Sequence, residues 1–119
     1  MQRVLVVDDD QDILEVMKYI LEDSGYEVDT LSDGHKLIDK IKENTPDLLL
    51  LDVMLGNMDG RELCKTVKLS EATHNIPIIM VSASHEITSF NTTDGPNGFI
   101  AKPFDIDDLI TTVQSQLAA

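Results

Sequence analysis

Six side chains of this sequence could do chemistry together, and each lies close behind an apolar run. Asp8, Asp9 and Asp10 follow Val4–Val7, Asp52 follows Leu48–Leu51, Ser82 follows Ile76–Val81, and Lys102 follows Gly98–Ala101. If these runs are strands of one parallel sheet, all six residues collect at the edge made by the strands' carboxyl ends, where open α/β sheets bind ligands. Several carboxylates at one edge repel one another, so a cation belongs among them. Carboxylates, a backbone carbonyl and water form an all-oxygen donor set that suits a hard ion such as Mg²⁺. Lys102 offers a positive point charge to an anion beside that ion, and Ser82 offers a hydroxyl to the same anion. A carboxylate, a divalent ion, an ammonium and a hydroxyl converging on one spot describe phosphoryl transfer with aspartate as acceptor. Pro103 enters because a cis Lys102–Pro103 bond would aim the lysine.

Each residue taken singly has a plainer reading. The acidic run could be a solvated helix start favoured by the helix dipole. Asp52 could be a cap, Ser82 an ordinary strand end, and Phe99 plain core. The conjunction in one order along the chain carries the chemical reading.

The elements that must position these residues follow from apolar patterning. Near-continuous aliphatic runs suit parallel strands buried on both faces, with Glu27–Leu31 as a weaker fifth run. Between the runs lie helix-period segments. Ile13, Leu14, Met17, Ile20 and Leu21 make one stripe, with Gly25 as its stop. Leu37, Ile38 and Ile41 make a second, capped by Ser32 or Asp33. Leu63, Val67 and Cys64 make a third, after the turn Met58-Asp59-Gly60. Ile106, Leu109, Ile110, Val113 and Leu117 make the last, with Asp105 as N-cap. Alternation of this kind predicts an α/β fold with the sheet covered on both faces. Between Ser82 and Gly98 a further helix is due. His85 to Thr93 is rich in weak helix formers, however, and Asp94-Gly95-Pro96-Asn97-Gly98 breaks any helix, so this element should be short or irregular.

Composition bounds the function. A length of 119 residues predicts one domain over 1–119, and 42% hydrophobic residues suit a globular core. Nine basic against 22 acidic residues give a net charge of −13, which argues against direct nucleic-acid binding by this chain. One cysteine, Cys64, excludes an internal disulfide. No apolar run approaches the roughly 20 residues of a membrane span, and the N-terminus does not read as a signal peptide, so a cytoplasmic, soluble protein is expected. His35, His74 and His85 lie far apart without ligand spacing and read as surface residues.

The double acid after the first strand, Leu51-Asp52-Val53-Met54, Val81-Ser82-Ala83 and Phe99-Ile100-Ala101-Lys102-Pro103-Phe104 resemble response-regulator receiver domains, in the right order and over essentially the whole chain. The resemblance implies a flavodoxin-like three-layer fold with a five-stranded parallel sheet in the order 2-1-3-4-5. It implies Mg²⁺-dependent phosphotransfer to Asp52 from a histidine kinase or phosphotransfer protein, without the turnover of a conventional enzyme. Asp9 would bind the metal directly, Asp8 directly or through water, and Met54 through its backbone carbonyl. Lys102 would pair with the acceptor and then with the phosphoryl group. Ser82 would move toward a phosphoryl oxygen while Phe99, at the switch-aromatic position, rotates. Partners implied are a downstream effector or output domain and a second copy of the chain, but neither nucleic acid nor membrane. The molecule is then a stand-alone receiver or one cut from a larger protein.

Two departures from the family pattern stand out. Gly56-Asn57 replaces the usual Pro-Gly after the acceptor, and the Ser82–Lys102 interval is shorter than usual. The shortfall falls in the weak helical segment, where phosphorylation is expected to reorder residues 84–97 most. A rival reading is a haloacid-dehalogenase-like phosphatase, whose Asp-x-Asp-x-Thr/Val motif Asp8 and Asp10 meet in spacing, although Asp12 stands where Thr or Val is required. A third is a receiver-like module that only binds partners, disfavoured because every chemical position is filled.

Overall fold

The computed structural model describes residues 1–83 and 95–117. The strands are β1 (Arg3–Val7), β2 (Glu27–Leu31), β3 (Leu48–Asp52), β4 (Met54–Leu55), β5 (Met58–Asp59), β6 (Ile78–Ala83) and β7 (Gly98–Lys102). The helices among the described residues are α1 (Gln11–Asp23), α2 (Leu37–Glu43), α3 (Gly60–Leu69) and α4 (Ile106–Leu117). Five strands form one parallel sheet in the order β2-β1-β3-β6-β7. Because β4 and β5 are two-residue strands of a separate hairpin, this is the expected 2-1-3-4-5 arrangement, flavodoxin-like.

Alternation along the strands divides the core in two. Val4, Val6, Leu48, Leu50, Ile79, Val81 and Ile100 face α1 and α4, where Leu14, Met17, Leu21, Leu109 and Val113 cover them. Leu5, Val7, Leu49, Leu51, Ile78 and Met80 face α2 and α3, where Leu37, Ile41, Cys64 and Val67 cover them. All of β3 is buried, as a strand packed on both faces must be.

Local signals act largely as their chemistry requires. Asp10 caps α1 by accepting from the Asp12 and Ile13 amides, and the helix closes at Ser24 and Gly25 with Tyr26 N–H donating back to the Leu21 carbonyl at 3.1 Å. Asp105 accepts from the Asp107 amide at the start of α4. Two boundaries differ from the sequence reading. Asp33 caps a 3₁₀ turn over Gly34–Lys36, and α2 begins only at Leu37 without a side-chain cap. Strand β6 starts at Ile78 rather than Ile76, since Pro77 has no N–H for a ladder, and runs on to Ala83.

The expected helix between Ser82 and Gly98 and the reordering expected over 84–97 fall mainly on residues 84–94, which lie outside the described residues, as does His85. At the far end of that interval Asn97 is tied to β6: its side chain accepts from Ile78 N–H at 2.9 Å and its own N–H donates to the Ile78 carbonyl at 2.7 Å. His35 and His74 are exposed, as their spacing suggested.

Candidate functional site

Register decides which polar residues meet. Val7 pairs with Leu51 across β1 and β3, so the next residues, Asp8 and Asp52, emerge side by side at the carboxyl edge. On the other side Asp52 pairs with Val81, which sets Ser82 one step further along β6, and Ala83 pairs with Lys102 on β7. The edge therefore gathers the residues singled out from sequence, and one surface depression is lined by Asp8, Asp9, Asp10, Asp52, Met54 and Lys102 among others.

The three acids of the first run take three different roles. Asp8 is turned inward and is only 1% exposed. Its Oδ1 accepts from the Asp10 amide at 2.9 Å and its Oδ2 from Lys102 Nζ at 3.0 Å. Asp9 stays exposed, yet its Oδ2 accepts from the Gly56 amide at 2.9 Å, across the mouth of the depression. Asp10 serves as the α1 cap, so its carboxylate is engaged with helix amides. That engagement leaves Asp10 outside the group of carboxylates that meet at Asp52.

Asp52 is buried at 4% exposure. Lys102 Nζ lies 3.1 Å from its Oδ2, and Met54 N–H donates to its Oδ1 at 3.2 Å. Burial and the neighbouring Asp8 charge raise its pKa from 3.8 to about 6, outweighing the opposing pull of Lys102 and the Met54 amide. At neutral pH it is still mainly the carboxylate. Burial also works against the Lys102 ammonium, but the hydrogen bonds and charges of Asp8 and Asp52 overcome it and hold that pKa above the ordinary lysine value. The Lys102–Pro103 bond is cis.

Charge balance supplies the fit test for a metal. Carboxylate oxygens of Asp8, Asp9 and Asp52 all lie within 4.8 Å of one another. Three carboxylates against the single ammonium of Lys102 leave two negative charges when all are ionised (−3 + 1 = −2). An all-oxygen set with that residual charge suits a hard divalent cation. A second observation concerns the anion: the buried Ser82 Oγ has no hydrogen-bond partner among the described residues. A buried hydroxyl left unpaired is costly unless a water or a ligand satisfies it. Ser82 and Phe99 share one sheet face as diagonal neighbours, since Met80 pairs with Phe99 and Ser82 with Ala101. Phe99 packs half-buried against the core on the α2–α3 side.

Two glycines of the site were not legible as such from the sequence. Gly56 sits at φ 62° in the two-residue loop of the β4–β5 hairpin, and its amide is the donor to Asp9. Gly60 opens α3 so close beneath the acceptor that a Cβ there would lie 2.0 Å from the Asp52 carbonyl oxygen. The turn Met58-Asp59-Gly60 was visible as a helix start; that it also touches the Asp52 backbone depends on the fold. Cys64 is buried, and burial pushes its thiol up to about 11, so it is a packing residue rather than a nucleophile.

A five-stranded parallel sheet in this order, with a buried aspartate, further acids and a lysine at its carboxyl edge, defines a class: flavodoxin-like α/β proteins with an acidic site at the sheet edge. The comparisons with known proteins agree. The model of the response regulator receiver domain matches residues 4–114, and the chain belongs to that family, the receiver domains of two-component systems. It is 34% identical over 119 residues to the response regulator ArlR of Staphylococcus saprophyticus, covering 98% of this chain and 53% of that protein. It is 32% identical over 118 residues to the DNA-binding response regulator MtrA of Mycobacterium tuberculosis, covering 98% of this chain and 50% of that protein. The chain thus spans about half the length of these curated relatives. Among solved structures, the chemotaxis response regulator CheY4 of Vibrio cholerae superposes with a TM-score of 0.88 at 32% identity, with 98% of each chain covered. The receiver domain of NtrX from Brucella abortus gives the same TM-score, identity and coverage.

Proposed function

We propose that this chain is a two-component receiver, one unit over 1–119, that accepts a phosphoryl group on Asp52 from a histidine kinase or phosphotransfer protein in a Mg²⁺-dependent reaction. The observation that carries the reading is the buried Asp52 carboxylate, held 3.1 Å from Lys102 Nζ and grouped with the Asp8 and Asp9 carboxylates. Asp8, Asp9 and Asp52, with the Met54 carbonyl, would hold the ion, which when bound offsets charge on the phosphoryl oxygens. An Asp52 oxygen attacks phosphorus as the bond from phosphorus to the histidine nitrogen breaks, and that electron pair returns to the imidazole. Lys102 stays protonated throughout and stabilises the added charge. Ser82 turns its unpaired hydroxyl to a phosphoryl oxygen, and the space it leaves lets Phe99 rotate, which changes the partner-binding face. The site then works on its own acceptor rather than on a stream of substrates.

Its partners are the phosphoryl donor and an effector or output domain, with a second copy of the chain as a further one. The charge of −13 argues against direct nucleic-acid binding by this chain. No helix among the described residues is long and apolar enough to cross a membrane, and we place the protein in the cytoplasm.

Small-molecule donors test the acceptor. Acetyl phosphate with Mg²⁺ should label the wild type once, with an acid-stable but hydroxylamine-labile bond absent, by mass spectrometry, from Asp52→Asn. Equal labelling of the variant would move the acceptor elsewhere.

A further inference from the structure

We infer that Gly56 is a positioning residue: its backbone N–H holds the Asp9 carboxylate in the metal site before any ion arrives. The inference rests on the metal-dependent reading above and goes beyond it. Asp9 is the one exposed member of the carboxylate group, with Asp8 and Asp52 fixed by burial and by Lys102. An exposed aspartate samples several rotamers, and a ligand that must be ordered on binding costs affinity. The 2.9 Å bond from Gly56 N–H to Asp9 Oδ2 removes that freedom, while Oδ1 remains available to a cation.

The donor is available only because of the local backbone. Leu55 pairs with Met58, leaving Gly56 and Asn57 as the two loop residues of the β4–β5 hairpin. Gly56 has φ 62°, and no residue other than glycine among those described has positive φ, the pattern of a type II′ turn with glycine first. The Gly56 amide therefore points out of the hairpin ladder and toward Asp9. Proline at this position has no N–H and a φ near −65°. Asparagine keeps the N–H and is, with glycine and aspartate, among the residues that primed turns take at positive φ. Space is no obstacle, since the nearest atom to a Cβ at Gly56 is Asp9 Oδ2 at 4.0 Å.

Calorimetric Mg²⁺ titration of the wild type, Gly56→Pro and Gly56→Asn tests this. Gly56→Asn should bind close to the wild type, and Gly56→Pro should bind at least about tenfold more weakly, the usual effect of losing a group that orients a metal ligand. Equal affinities in all three overturn the positioning role alone, and equal loss in both variants overturns it in favour of simple loop distortion. A wild type that binds no Mg²⁺ overturns the metal reading and this inference with it. If Gly56→Pro does not fold, amide exchange in metal-free protein decides. The Gly56 N–H should be protected in the wild type and released in Asp9→Ala, and unchanged exchange would overturn the inference.

Discussion

At Asp52, burial and the Asp8 charge together outweigh Lys102, and the outcome is a carboxyl that holds its proton up to about pH 6 in the metal-free protein. A folded-state value above the ordinary 3.8 means that the native state binds this proton more tightly than the unfolded chain. The associated stability is fully present below about pH 4 and is lost as pH rises through 6. The full displacement corresponds to about 3 kcal/mol, which solvent at the open depression screens to about 1 to 2 kcal/mol. Asp52→Asn removes the ionisation. Without Mg²⁺ the variant should therefore be more stable than the wild type by that amount at pH 7.5, with the difference vanishing near pH 4. Urea denaturation at both pH values measures it, and a variant less stable at pH 7.5 would contradict the charge balance described.

At the level of elements, the carboxyl-edge loops are shaped by caps that share residues with the site. Asp10 bonds the Asp12 amide at 2.9 Å and the Ile13 amide at 3.4 Å, while its own amide bonds Asp8. One side chain thus starts α1 and sits beside the inward turn of Asp8. Asp10→Ala should cost about 1 kcal/mol, whereas Asp10→Asn, which keeps the accepting oxygen, should cost little. Chemical denaturation of the pair separates the two, and equal losses would assign the effect to charge and the helix dipole instead. The β4–β5 hairpin shows how far local patterning reaches. Gly56-Asn57 is a hairpin signal, yet the strands it joins are two residues each, too short for alternation to be visible. The weak second strand, by contrast, is found at Glu27–Leu31 because its pairing with β1 over five registered positions supplies what its composition lacks.

For the whole molecule, the sheet ties ligand binding to global stability. Asp8 and Asp52 extend from adjacent central strands whose apolar residues pack both core layers, so an ion joining them binds the native state and not the unfolded chain. Mg²⁺ at a hundred times its dissociation constant should stabilise the fold by about 2.7 kcal/mol. Asp9→Asn should weaken that response while leaving the metal-free fold intact, because Asp9 is exposed and outside both core layers. Thermal unfolding across an Mg²⁺ series reads both, and an undiminished shift in Asp9→Asn would remove Asp9 from the site.

The sequence by itself determined the five strands of the parallel sheet to within a residue or two, their polar ends and the set of residues at the carboxyl edge. Aliphatic runs that stop at an acid, a serine or a lysine are local facts, and parallel α/β geometry brings such ends together. It also marked Asp105 as a helix cap, an interaction between residues two apart, whereas the Asp10 cap emerged only with the structure. Tertiary structure alone decided how Asp8, Asp9 and Asp10 divide their work, since that depends on Lys102 reaching across from β7 to Asp8. It also decided that Gly56 meets Asp9 and that α3 begins against the acceptor's carbonyl at Gly60. These contacts join segments far apart in the chain, or a loop to a strand end, and only strand order, register and loop conformation bring them within bonding distance.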